Sequence, residues 1–221
     1  MKISVIIPAF NEEKTISATL EDLCIRHAPD EVIVADGGST DRTRELARRW
    51  ARVVLSPKGR ARQLNAGARE AQGDILLFLH ADTRLPAAGL EKVREAAGSG
   101  VEGGRFRMKF DEDGGLLRFY SRYTRFHFFS YGDQGFFVRR VLFWDLGGYR
   151  EDVPFEDIDF YHRLQRQTTP VILPDAVVTS ARRFRQIGAV RQKLLNVLLV
   201  SLHFFGLDVR GLQKRLYPEV R

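Results

Sequence analysis

Apolar and polar positions alternate in blocks along the first hundred residues. Ile3-Ser-Val-Ile-Ile7 is a β-branched run closed by Pro8, which predicts a strand. Ile16, Leu20, Leu23 and Cys24 then recur on one helical face, with Asn11 available as the cap. Glu31–Ala35 is a second strand, ending on Asp36-Gly37-Gly38-Ser39-Thr40. Ser39 or Thr40 is the expected cap of a helix running towards Trp50. Val53–Leu55 reads as a third strand and Arg60 to Ala71 as a helix. Ile75 to Leu79 follows as five unbroken apolar residues, too short for a helix and typical of a strand buried on both faces. That run stops on His80, Ala81, Asp82 and Thr83.

Strand–helix repetition over 1–97 predicts an α/β fold with a parallel sheet and right-handed crossovers. Ala9-Phe10-Asn11, Asp36 and Asp82 then share the carboxyl edge of the sheet, where open α/β folds bind ligands. Asp82 is a candidate ligand for a divalent cation, although an Asp after a strand also serves as a turn or cap residue. No GxGxxG follows the first strand and no P-loop occurs, so the dinucleotide fingerprint is absent.

The second half changes character. Gly104–Phe110 alternates Phe106, Met108 and Phe110 with charged residues, a half-buried strand. Leu116–Phe129 reads as a helix with an aromatic face, suited to a core, a subunit interface or stacking on a sugar or lipid. Gly132–Gly135 leads into the strand Phe136–Val138. Glu156 and Asp157 open a helix, and the strands Val171–Leu173 and Ala176–Ser180 close the domain. His80, His127 and His162 lack the spacing of a zinc site.

The 221 residues are 44% hydrophobic and 29% charged, enough for a real core. Cys24 stands alone, which excludes an internal disulfide and fits a reducing, cytoplasmic setting. The apolar start is short, contains Pro8 and lacks a small-residue cleavage site, so it reads as a strand rather than an export signal. From Arg182 to Arg221 nine Lys and Arg face only Asp208 and Glu219, so that stretch carries the whole formal excess of +7. Its Leu and Phe content points to a lipid surface, such as the inner face of a membrane, rather than to nucleic acid.

Several motifs agree on one family. The chain resembles the family 2 glycosyltransferases of the GT-A fold through Ser4–Glu13 (SVIIPAFNEE), Asp36–Thr43 (DGGSTDRT), Asn65–Thr83, Gly135–Val138 and Glu156-Asp157. It is especially similar to a small bacterial branch, through Gly59–Ala68 (GRARQLNAGA), Gly132–Arg140 and Thr179–Arg183. The resemblance implies a mixed, mainly parallel, Rossmann-like sheet with helices on both faces over residues 1–185. A basic amphipathic helical appendage would follow over 186–221.

It also implies an inverting, metal-dependent transfer from a UDP- or GDP-sugar to an acceptor hydroxyl. Asp82 would hold Mn²⁺ or Mg²⁺, ions that prefer oxygen ligands and bridge diphosphates. His80 and Ala81 replace the earlier carboxylates of the family's DxD-like element, so a ribose contact from Ala81 would have to come without a polar side chain. Asp157 maps on the general base, with Glu156 supporting it or touching the acceptor, whereas acidic residues at a first helical turn also serve as plain dipole partners. Asp36 maps on the base-ring contact, and Pro8, Ala9, Asn11 and Glu12 line the nucleotide slot. Arg60, Arg62, Arg182 and Arg183 are phosphate-pairing candidates or solvated surface charges. Asp133 and Gln134 sit at a donor-sugar or acceptor position, or shape a turn.

Leu194–Leu207 is strongly apolar yet only fourteen residues long, short of a bilayer span. Residues 187–221 therefore suit a peripheral membrane contact near a lipid-linked acceptor, or packing on the catalytic domain or on a second copy in a homodimer. A non-catalytic sugar-nucleotide-binding protein and a nucleotidyltransferase are the competing readings. The opening PAFNEE departs from the glycine-rich start usual in the latter.

Overall fold

The computed structural model describes residues 1–112, 114–127 and 132–182, with the single residues 195, 198, 199, 202, 207, 209, 211 and 212. The expected appendage 186–221, with its amphipathic helix, lies otherwise outside the described residues, as does Arg183.

Four strands form a parallel half-sheet: β1 (Ile3–Ala9), β2 (Glu31–Asp36), β3 (Arg52–Leu55) and β4 (Ile75–Phe78). Four more complete it: β5 (Thr83–Arg84), β6 (Gly103–Phe110), β7 (Phe136–Arg139) and β8 (Val171–Thr179). The order is β3-β2-β1-β4-β7-β6-β8-β5, and β7 is antiparallel to both of its neighbours. Strand β7 thus joins the parallel half to the β6–β8 pair, which is again parallel.

Alternate β1 residues point to opposite faces, and each face has its own core. Ile3, Val5 and Ile7 pack with Leu20 and Leu23 of α1 (Ile16–His27) and Val93 of α4 (Gly89–Gly98). Ala47 of α2 (Thr43–Ala47) joins the same core. Ile6 packs with Leu64 of α3 (Arg60–Glu70), Phe143 of α6 (Arg140–Asp145) and Phe160 of α7 (Glu156–Gln167). Helices cover both faces, so the inner strands are apolar on both sides.

Several expectations are corrected. Strand β1 runs through Pro8 to Ala9. The Ile6 carbonyl accepts the Leu79 N–H as β4 ends, so Pro8 presents its missing donor beyond that ladder. Asn11 does not cap α1. Its backbone is left-handed (φ 54°), and its side chain accepts the Thr40 N–H from the next loop at 2.8 Å. Neither Ser39 nor Thr40 caps α2, which starts at Thr43 with the Asp41 carboxylate accepting the Thr43 N–H at 3.0 Å. The two closing strands are one, β8, in which Pro174 and Asp175 bulge out between Leu173 and Ala176. The aromatic helix α5 spans only Gly115–Tyr123. Helix α6 and the short β5 had no counterpart in the sequence reading.

Arg105 is a further correction. The alternation in β6 predicts an outward cation, yet Arg105 is fully buried. Its Nη1 donates to the Thr124 carbonyl at 2.7 Å and its Nη2 to the Phe126 carbonyl at 2.8 Å, with the Tyr161 ring 5.7 Å away. The guanidinium thereby ties the turn after α5 to the sheet. Gly104 beside it is needed for packing, because a Cβ there would collide with the Val171 carbonyl.

Candidate active site

The ends of β1 and β2 are tied by side chains rather than by the ladder alone. Gln63 of α3, buried, donates from Nε2 to the Ala9 carbonyl at 2.7 Å and the Ala35 carbonyl at 2.9 Å. Pro8 and Ala9 are fixed by this link, which the sequence motif contains but does not announce. Asp36 at the end of β2 is fully buried. Its carboxylate accepts the Gly38 and Ser39 N–H groups at 3.1 and 3.0 Å and the Ser39 hydroxyl, with Arg44 Nε at 3.7 Å. Ser39 Oγ in turn accepts the Asn11 N–H at 2.9 Å.

Beyond β4, Ala81 is buried and its carbonyl accepts the Thr19 hydroxyl at 2.8 Å. The next side chain, Asp82, meets Arg182 Nε at 3.1 Å. Arg182 also grips Glu12 through two bonds of 2.6 and 2.7 Å, and both side chains keep only 17% exposure. The pair is bidentate and largely desolvated, so its attraction is stronger than that of a surface ion pair but is set against a larger desolvation cost. The Glu12 hydrogen bonds raise the Arg182 pKa against the cost of burial. A cavity of about 220 Å³ opens beside Asp82, lined by Lys14, Thr19, Arg84, Asp111 and Ser180 among others.

A second arginine organises the other acidic pair. Arg60, at the start of α3, reaches Glu156 Oε1 at 3.1 Å and Asp157 Oδ2 at 3.5 Å. Burial works against its charge, but Glu156, Asp157 and Asp133 outweigh that and raise its pKa. Burial raises Glu156 too, opposed by Arg60 and reinforced by Asp157. The loop between α6 and α7 is tied to α3 by Asn65, whose side chain donates to the Tyr149 carbonyl at 2.8 Å and accepts the Tyr149 N–H at 2.9 Å. Asp159 faces away, pairing with Arg163 at 2.7 Å.

Asp133, in the 3₁₀ turn Gly132–Gln134, links the two halves. Burial pushes its carboxyl up to about 6, Arg60 pulls it down, and the charges of Asp157 and then Asp82 push it up again. Asp82 and Asp157 therefore both lie close enough to act on one side chain. Asp133 Oδ1 is buried with no hydrogen-bond partner among the described residues. Gln134 beside it is fully buried. Asn11, Asp36 and Arg62 are not drawn into this cluster, and Arg62 pairs instead with Glu151 at 3.2 Å.

A stability effect follows from Asp133. Its ordinary value is 3.8 and its folded value about 6, so the folded state holds the proton longer. The penalty for ionising it is small near pH 4 and complete above pH 6. Asp133→Asn is expected to stabilise the fold by about 1–2 kcal/mol at pH 7.5, discounted from the full shift because the residue as a whole is half-buried. Thermal melts at pH 7.5 and pH 4 test this; equal gains at both would contradict it.

Five carboxylates (Glu12, Asp82, Asp133, Glu156 and Asp157) thus gather around Arg60 and Arg182. Among the described residues no group of three or more His, Cys, Asp or Glu side chains is arranged to hold a metal ion by itself. The surplus negative charge and the orphaned Asp133 oxygen nevertheless fit a cation that completes its shell with ligand oxygens. No helix of the described residues is long and apolar enough to cross a membrane.

The sequence profile described as Glycosyl transferase family 2 matches residues 4–153. The chain belongs to this family. One relative, the glycosyltransferase AglE of Haloferax volcanii, is 30% identical over 55% of the chain and 45% of its own length. The chain thus spans about half the length of that curated relative. Among solved structures, Staphylococcus aureus TarS 1–349 in complex with UDP-GlcNAc superposes with a TM-score of 0.68. It is 21% identical and covers 81% of this chain and 58% of its own. The mannosyltransferase PcManGT of Pyrobaculum calidifontis, in complex with GDP-Man and Mn²⁺, gives 0.60 at 23% identity, covering 89% and 64%. The fold is that of the GT-A glycosyltransferases.

Proposed function

We propose that the protein is an inverting glycosyltransferase that moves a sugar from a UDP- or GDP-sugar to an acceptor hydroxyl. The observation that supports this reading is the pair of arginine-bridged acidic groups: Arg60 spans Glu156 and Asp157, and Arg182 spans Glu12 and Asp82. These carboxylates come from distant parts of the chain, on a fold shared with nucleotide-sugar complexes.

Asp157 is the general base. It takes the proton of the acceptor hydroxyl as that oxygen bonds to the anomeric carbon, while the bond to the diphosphate breaks and its electron pair leaves with the diphosphate. Arg60 holds Asp157 and Glu156 side by side. Asp82 would hold a Mn²⁺ or Mg²⁺ ion brought by the donor. Bound there, the ion supplies Lewis-acid stabilisation of the developing diphosphate charge. Arg182, with Arg183, pairs with phosphate oxygens, which requires Arg182 to release Glu12 or Asp82. Pro8, Ala9, Asn11, Glu12 and Asp36 form the nucleotide side, with Arg62 and Ala81 at its margins, and Asp133 and Gln134 face the sugar. Catalysis belongs to residues 1–185, and 186–221 serve attachment near a lipid-linked acceptor.

Calorimetric titration with UDP- and GDP-sugars in the presence of Mn²⁺, followed by a donor-hydrolysis assay, tests the assignment. One nucleotide class is expected to bind and to be slowly hydrolysed to free sugar and nucleoside diphosphate. Release of pyrophosphate from a nucleoside triphosphate would make the protein a nucleotidyltransferase instead. Failure of both classes to bind would overturn the reading.

A further inference from the structure

Helix α5 and the turn after it present a face that the proposed chemistry does not use. Leu117 is buried in the core and fixes which side of the helix looks inward. On the other side Phe119 and Tyr123, one turn apart, pack at a tilt of 59° with centroids 4.7 Å apart, and Tyr123 meets Phe126 at 6.3 Å. Phe119 is 59% exposed and Phe126 48%. Exposed Arg118 and Arg122 lie one turn apart on the same helix, and the Arg125 guanidinium stands 5.0 Å over the Phe126 ring. From Gly114 to His127 there is no acidic residue. Asp111, Glu112 and Asp113 precede the helix in the sequence, and Asp111 is engaged by the Ala181 N–H at 2.8 Å.

We propose that this face docks the protein on an anionic lipid surface. Phe119, Tyr123 and Phe126 enter the boundary between head groups and acyl chains, and Arg118, Arg122 and Arg125 pair with lipid phosphates. Charge complementarity selects this occupant. A guanidinium matches phosphate geometry bidentately, and the arginines have no carboxylate among themselves to satisfy them. A two-fold contact with a second copy would set these arginines against their own kind. A single-stranded nucleic acid would find the Phe119 and Tyr123 rings inclined at 59° to each other, not a parallel platform for successive bases. Nine helical residues, about 13 Å, are too short to span a bilayer and suited to lying in its surface plane.

Sedimentation of the full chain with vesicles tests the proposal, using phosphatidylcholine alone or mixed with phosphatidylglycerol. Binding is expected only to the mixture and should weaken as salt is added. R118Q/R122Q/R125Q should lower the partition coefficient about a hundredfold, at roughly fivefold per arginine. F119S/F126S should lower it by about tenfold or more. Because these side chains are exposed, circular dichroism melts and vesicle-free nucleotide-sugar binding should match the wild type, whatever the outcome with lipid. F119W provides a direct readout: its added emission should shift blue on the mixed vesicles and be quenched by brominated acyl chains. Wild-type binding by both multiple variants, together with an unquenched F119W, would put the lipid contact elsewhere in the chain and overturn the proposal. A wild type that ignores the mixed vesicles and elutes as a dimer broken by F119S/F126S would do the same.

Discussion

Asp157→Asn is expected to lower glycosyl transfer by about 10³-fold, within the range general-base catalysis supplies. The amide keeps the size of the side chain but cannot accept a proton at neutral pH. Arg60 still has Glu156 at 3.1 Å, so the start of α7 should keep its place. Donor affinity should accordingly change by only a few-fold, because the base acts on the acceptor rather than on the nucleotide. Turnover and donor binding measured on the same preparation separate the two effects. Retained turnover would remove Asp157 from the reaction; lost binding with lost turnover would make it a structural partner of Arg60.

Asp82→Asn is expected to act at the other acidic group. The carboxylate that would hold the ion becomes a neutral amide, and transfer should fall on the order of 10²-fold, since Lewis-acid stabilisation of a leaving diphosphate is worth several kcal/mol. Unlike Asp157→Asn, this change should also weaken donor binding in the presence of Mn²⁺ and leave metal-free binding nearly as it was. Arg182 loses one of its two anionic partners but keeps the two bonds to Glu12, so the fold should survive. Calorimetry with and without Mn²⁺ reads the difference. An unchanged Mn²⁺ effect on donor affinity would show that any ion is held elsewhere.

Much of this site follows from local signals. The apolar run from Ile75 and its abrupt end put Asp82 at a sheet edge, because a short, wholly apolar segment can satisfy its backbone only inside a sheet covered on both faces. The acidic opening of α7 was equally readable, since carboxylates at a helix start match the dipole with or without chemistry. Asn11 and Ser39 were misread for a related reason. Both are good cap residues, but the loops after β1 and β2 lie side by side and each satisfies the other's backbone. No periodicity reports such a partnership between segments 28 residues apart.

Taken alone, the amino-acid sequence determined the alternating strands and helices, the family and the acidic residues at the edges of the elements, because hydrophobic period, turn chemistry and motif are properties of neighbouring residues. Only the tertiary structure decided which charges meet. Arg182 meets Glu12 across 170 positions, Arg60 spans Glu156 and Asp157, and Arg105 is buried where strand alternation would have turned it outward. These choices depend on sheet order and on which carbonyls and carboxylates lose their water together, and the cost of burying a charge is set by the partners that surround it in space.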